Sequence, residues 1–300
     1  MKRWAKIFFA AGKSWVQDNA FKHAGAVSFY TLFSIAPILL IAVTLAGAIF
    51  GQDAARGELA NQLSGLIGKE GALAAEKLLA DSRPDAHGWM PAVLGGVVLL
   101  IGATTVFAQL QESLNDIWGV AARPARNSFV LLLVRRLLSF SLVLTIGFLL
   151  LVSMVLTTVL SMATGFAQSI VPLPAAVLRA LDLGLALAVV TVLFAMIFKV
   201  LPDVQLRWRD VWKGAFLTAV LFGAGRHLIS FYLGSTGMAS TYGAAGSLVL
   251  LLMWVYYSTL ILLFGVEFTR AYMDDLGLKV RPKSQAVRVR RELVPEDEEV

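Results

Sequence analysis

The sequence predicts an all-α polytopic membrane protein. Six transmembrane helices form a bundle, with an N-terminal interfacial amphipathic helix and a short helical periplasmic loop. Three observations carry this. Hydrophobic residues make up 58% of the 300-residue chain and charged residues only 15%, whereas a soluble domain has roughly 45–50% and about 25%. Mean hydropathy is +0.74. Stretches free of Asp, Glu, Lys and Arg reach the roughly 20 residues that a helix needs to cross a bilayer.

Residues 1–22 come first. Trp4, Ile7, Phe8, Ala11 and Trp15 recur at helical spacing, with Lys2, Lys6 and Lys13 off that face. This pattern predicts a helix lying in the cytoplasmic membrane interface. The apolar stretch Ile7–Ala11 is too short for a signal peptide. A transmembrane domain then occupies 23–270, with spans at about 27–50, 89–111, 138–162, 176–199, 212–233 and 244–268. Each must be helical, because backbone groups in lipid need partners within their own segment. Continuous apolar runs, rather than short alternating strands, exclude a barrel. Pro172 and Pro174 break the long run Leu137–Leu178 into two crossings, and Pro37 kinks the first span. The periplasmic loop 52–88 has Leu59, Leu63, Leu66 and Ile67 at helical spacing, predicting a cap over the outer face. Residues 271–300 form a polar cytoplasmic tail, predicted to be disordered from Lys279.

Orientation follows from Lys and Arg. The N-terminal segment holds Lys2, Arg3, Lys6, Lys13 and Lys22, and the second loop Arg123, Arg126, Arg135 and Arg136. The fourth loop holds Lys199, Arg207, Arg209 and Lys213. The third and fifth loops hold none, and in the first loop acids outnumber bases. The positive-inside rule places both termini in the cytoplasm. The net charge of +6 is therefore a topological signal. It gives no reason to invoke a nucleic-acid partner, and no aromatic–basic reading platform accompanies it.

Catalytic chemistry finds little material. Cys is absent, and the histidines His23, His87 and His227 share no helix turn, so neither a thiolate site nor an HExxH metal site exists. No GxSxG elbow occurs. Gly95, Gly96, Gly102, Gly223, Gly225, Gly243 and Gly246 open no βα unit; they predict close helix packing. The expectation is a protein that is not an enzyme and has no cofactor or metal. Its partners are membrane lipids, with a homo-oligomer or an envelope protein as further candidates.

Ionisable groups within spans mark functional sites by default. Arg179 and Asp182 lie three apart on the fourth span and share a face. Arg226 lies roughly 20 Å from the inner end of the fifth span, and Asp182 roughly 25 Å from that of the fourth. An arginine side chain bridges that difference. Two arrangements fit. One is an intramembrane polar chamber of Asp182, Arg226, Arg179, His227, Tyr232 and Tyr242, able to hold an anionic head group or relay protons. The other is a structural Asp–Arg pair pinning spans four and five. A second candidate is a cytoplasmic-face cluster of Glu267, Arg270, Gln109 and Glu112, with Gln111 beside them. There Glu267 either pairs with Arg270 or serves as a coupling carboxylate.

Four segments resemble the YihY/BrkB family of bacterial inner-membrane proteins. They are FYTLFSIAP (Phe29–Pro37), VFAQLQESLNDIWGV (Val106–Val120), LPDVQLRWRDVWKGA (Leu201–Ala215) and the long run Ser240–Arg270. The likeness extends from about Trp15 to Gly277. It implies six transmembrane helices with both ends cytoplasmic, and no established catalytic residues. The family's older label, ribonuclease BN, has no support in these residues, since three scattered histidines cannot build a metal-dependent nuclease. In a related branch the resemblance implies export of an envelope lipid. A transporter of an envelope lipid or other amphiphile is the leading expectation; a scaffold in envelope biogenesis without transport is the alternative.

Asp182→Asn and Arg226→Gln, made singly and together, separate chamber from pair. Lost activity at normal expression and folding identifies the chamber; lost protein identifies the structural pair.

Overall fold

The computed structural model describes residues 2–34, 89–123, 175–236 and 246–289. Helices dominate them: α1 (Lys2–Gln17), α2 (20–34), α3 (Trp89–Ile117), α4 (Ala175–Val200), α5 (Trp208–Thr236) and α6 (Gly246–Asp275). Four short strands follow helix ends: β1 (Val120–Ala122), β2 (Val204–Gln205), β3 (Arg281–Pro282) and β4 (Ala286–Arg288). The expected span at 138–162, the loop 52–88 and Pro37 lie outside the described residues. Within them, two stretches are long and apolar enough to cross a bilayer, Leu183–Val200 and Leu251–Asp275.

The helices outlast the apolar runs that predict them. α3 continues beyond Gln111 to Ile117, and α6 beyond Phe268 to Asp275. Hydropathy ends where lipid would end, but the backbone hydrogen-bond ladder stops only at a terminating signal. For α6 that signal is Gly277 at φ 68°. The Leu278 amide donates to the Met273 carbonyl at 3.0 Å, and the Gly277 amide to Asp274 at 3.0 Å. This is the Schellman arrangement, in which a left-handed glycine satisfies orphan carbonyls. At the other kind of end, α5 starts with the Asp210 carboxylate accepting from the Arg207 amide at 3.2 Å, the back-reaching half of a capping box.

Six hydroxyls inside the helices are satisfied locally, whereas the buried Ser34 and Ser258 hydroxyls have no partner among the described residues. Ser28, Thr31, Ser113, Thr191, Thr218 and Thr269 each donate to the carbonyl four residues earlier, at 2.7–3.0 Å. Such bonding lets a polar side chain sit in a helix without needing water. α4 is apolar on its outside as well, with Leu183 70% exposed. A helix greasy all round suits a non-aqueous surrounding.

α4 and α5 form a hairpin, and α5 packs on α6. The core between them and the end of α3 contains Leu114, Ile117, Phe198, Val211, Leu263 and Val266. Two Gly-xxx-Thr pairs bring α5 and α6 together. A methyl group added at Gly214 would overlap the Thr269 hydroxyl and stand 2.8 Å from the Gly265 carbonyl oxygen. One added at Gly265 would overlap the Thr218 hydroxyl and stand 3.0 Å from the Phe198 ring. Each glycine thus receives the other helix's threonine, the close approach that small residues permit. Gly225 likewise receives the Tyr257 ring, while Gly223 has nothing within 4 Å of where a Cβ would sit. Of the glycines read from sequence, Gly225 bears a close contact and Gly223 does not, the others having no described surroundings; Gly214 and Gly265 were missed.

One expectation is refined and another changes. The apolar face of α1 packs in part on protein: Ile7 and Ala11 are buried with Phe268 of α6, while Trp4 and Phe8 stay about half exposed. Trp4 stacks on Tyr272 at 5.8 Å, and the Trp15 indole N–H donates to the Leu260 carbonyl at 3.1 Å. Aromatic residues on α6 offered that face a protein partner along roughly three turns. The tail is not disordered from Lys279. β4 pairs antiparallel with β1, Val120 opposite Arg288, and β3 pairs with β2, Val204 opposite Pro282. Composition missed this because strand pairing uses backbone donors and acceptors, which every residue but proline supplies.

Gly265→Ala should lower stability by about 1–3 kcal/mol through overpacking. Adding Thr218→Ala should restore part of the loss, because the new methyl group meets that hydroxyl. Thermal unfolding of the purified variants in detergent measures both.

Candidate functional site

The end of α3, the α4–α5 connection, the end of α6 and the tail meet at one end of the bundle. The sequence puts both large polar side chains and short strands there, and two ionic centres result.

The first is built on Asp203, 1% exposed. Its Oδ1 accepts from Gln111 Nε2 and from Gln285 Nε2, each at 3.3 Å. Its Oδ2 accepts from Asn115 Nδ2 at 3.0 Å. The Asp203 amide donates to Asn115 Oδ1 at 2.7 Å, so the two residues grip each other twice. The Asp203 carbonyl accepts from the Lys283 amide at 2.8 Å. Gln111 and Asn115 lie four apart and therefore on one face of α3. One buried carboxylate thus joins three segments far apart in sequence. Lys283 lies beside it, with Nζ donating to the Val200 carbonyl at 3.0 Å. Burial pushes the Lys283 ammonium below the usual lysine range, Asp203 opposes that shift, and Lys199 adds to it.

The second centre surrounds Glu267, 1% exposed on α6. Neither carboxylate oxygen accepts from an N–H or O–H donor among the described residues, and the Asp18 carboxylate faces it within hydrogen-bonding reach. Arg270 Nη1 stands 3.9 Å from Glu267 Oε2, but bonds instead to Asp18 Oδ2 at 2.7 Å and to the Ile117 carbonyl at 2.6 Å. Arg270 thereby ties α6 to the end of α3 and to the turn between α1 and α2. Asn19 gives that turn its shape with φ 56°, a conformation asparagine tolerates better than most residues. Arg270 and Asp274 on α6 and Asp18 on the turn are the charges acting on Glu267.

The residues singled out in the sequence fall as follows. Glu267 and Arg270 come together. Gln109 and Glu112 do not join them in any bond among the described residues; Glu112 is exposed. Their helix neighbours Gln111 and Asn115 turn instead to Asp203. Arg179 and Asp182 fall on α4, and Arg226, His227 and Tyr232 on α5; their side chains, and Tyr242 entirely, lie outside the described residues. Asp203, Asn115, Gln285 and Asp18 were missed. The signal for the first pair was present: Gln111 and Asn115 make a polar row on an otherwise apolar helix, and such a row needs a partner. Among the described residues, no three His, Asp or Glu side chains come together in a way that could hold a metal ion.

Apolar helices with greasy outer surfaces, closed at one end by buried charge, fit an integral membrane protein. The chain belongs to the virulence factor BrkB family, whose model matches residues 11–289. It is 30% identical over 260 residues to a UPF0761 membrane protein of Verminephrobacter eiseniae, covering 84% of this chain and 58% of that one. It is 26% identical over 259 residues to one from Alteromonas mediterranea, covering 84% and 83%. It is 28% identical over 262 residues to one from Pelodictyon phaeoclathratiforme, covering 85% and 57%. The chain therefore spans little more than half the length of the first and third of these relatives. No solved structure matches. The family match ends at residue 289, just beyond β4, so the docked tail lies within it.

Asp203→Ala should strand the amides of Gln111, Asn115 and Gln285. With each stranded buried donor worth about 1–3 kcal/mol, the loss should exceed that of Asp203→Asn, which keeps one accepting oxygen. Limited trypsin digestion should cut sooner at Lys279 and Lys283 in both variants, and fastest in the alanine.

Proposed function

We propose that this protein is a non-enzymatic, six-span inner-membrane protein of transporter type that binds or moves an envelope lipid or another amphiphile. Both termini face the cytoplasm, so the ionic end of the bundle is its cytoplasmic end. The observation that carries the reading is Glu267. It is a fully buried carboxylate that no N–H or O–H donor reaches among the described residues and that faces the Asp18 carboxylate, on a helix apolar enough to span a membrane. Leaving such a group unsatisfied is expensive, and ionisable groups kept at such depth serve ion, proton or substrate pathways by default. The chamber of Asp182, Arg226 and their neighbours would hold the head group, and Glu267 would couple its movement to a cation or proton.

A second reading is a scaffold that recruits envelope proteins without transport. What favours it is the Asp203 centre, where every polar atom named above is spent on fixing the tail and the α4–α5 connection. A surface held this firmly suits a docking platform.

Reconstitution with fluorescent phospholipid in vesicles, followed by dithionite quenching, tests the choice. The transporter reading expects lipid movement above protein-free vesicles, and a fall of about tenfold or more in Glu267→Gln at unchanged folding, the size expected when an essential proton-transfer group is lost. No movement with any phospholipid or lipid A precursor favours the scaffold.

A further inference from the structure

At the start of α5 two rows of side chains run side by side. Trp208, Trp212, Phe216 and Val220 recur every four residues, and all four are between 41% and 51% exposed. One residue around the helix, Arg209 and Lys213 form the neighbouring row, both exposed. That second row continues into Leu217, which packs with Ile7, Ala11 and Phe268 in the seam between α1, α5 and α6. Lys213 caps this seam. Its Nζ lies 4.3 Å from the centre of the Tyr272 ring and 5.5 Å from that of Trp4, and it donates to the Tyr272 hydroxyl. Trp4 is itself half exposed, stacked on Tyr272.

The order of side chains along the exposed row has a physical meaning. Tryptophans come first, next to the cations, and Phe216 and Val220 follow at roughly 12 and 18 Å further along the axis. Tryptophan and tyrosine favour the head-group level of a bilayer, and purely apolar side chains the hydrocarbon. The seam therefore presents two cations at head-group depth directly above an apolar track. Its charge and shape fit one molecule of the surrounding leaflet, with a negatively charged head and acyl chains below it.

We infer that the α1–α5 seam is a binding site for an anionic glycerophospholipid. The phosphate sits between Arg209 and Lys213, and one acyl chain follows Trp212 and Phe216. Tyr272 and Trp4 hold Lys213 in place from behind. No carboxylate pairs with either cation among the described contacts, so both keep their charge for the ligand. Arg3, by contrast, is held by Asp275 at 2.6 Å. The site is separate from the intramembrane chamber and rests only on the chain lying in a membrane. A protein that moves no lipid would still bind here.

Native mass spectrometry of the full chain tests it, with phosphatidylglycerol and phosphatidylcholine supplied at equal concentration in detergent. The expected result is a preference for phosphatidylglycerol that falls about fivefold for each cation removed, the effect of one basic residue near an anionic surface. Lys213→Gln and Arg209→Gln should each show the fall and together abolish the preference, and Arg209→Gln should leave thermal stability nearly unchanged because its side chain is exposed. Lys213→Arg should retain it. Arg209→Gln leaves the Trp4–Lys213–Tyr272 contacts intact, so its effect reads charge and not packing. Equal binding of the two lipids by the unaltered protein, or a preference that survives in the double variant, overturns the assignment.

Discussion

One buried carboxylate organises one end of this molecule. Asp203 occupies the connection between two long helices, where a backbone leaving one helix for the next exposes unpaired amides and carbonyls. Three side-chain amides converge on it, and its own backbone is bonded on both sides. Because the partners come from two distant segments, α3 and the tail, neither segment can leave without weakening the hold on the charge. A buried charge is tolerated only when its hydrogen-bonding capacity is met, so the centre forms as a whole or not at all. β1, β2 and the returning tail find their register around it.

Glu267 is the counterexample, and the contrast carries functional meaning. The two carboxylates are equally buried, yet one is saturated and the other has Arg270 only at a distance. The position on α6 explains how this is sustained. Gly265 and Thr269 press α6 against α5, and Glu267, two residues from each, points about 200° away. The helix is anchored by one face while the opposite face carries the unsettled charge. Rigid placement beside an unsatisfied group is what a site needs if a ligand or proton is to complete it.

Much of this could be read from the amino acids alone. Apolar runs located α4, α5 and α6 to within a turn or two, because length and hydropathy together leave little choice once lipid is the solvent. Helix ends were less legible: apolarity falls away at Gln111 and Phe268, but hydrogen bonding continues to Ile117 and Asp275. The Glu267–Arg270 pair was visible through its spacing, whereas Asp18 was not, since nothing local in the sequence brings residue 18 beside residue 270. The Gly-xxx-Thr contacts were missed for a related reason. Glycines are spread along this chain, and only the facing side chain, a threonine or a tyrosine, distinguishes one that bears packing from one that does not. The tail escaped because its strands are held by backbone pairing and by a single glutamine.

The tail also fixes the order of events during biosynthesis. Val120 finds its strand partner only when Arg288 has left the ribosome, and Asp203 waits for Gln285 in the same way. Every helix between them is therefore made while this end of the bundle is still open. Closure comes late: a chain with one helix misplaced cannot bring α3, the α4–α5 connection and the tail to the same point.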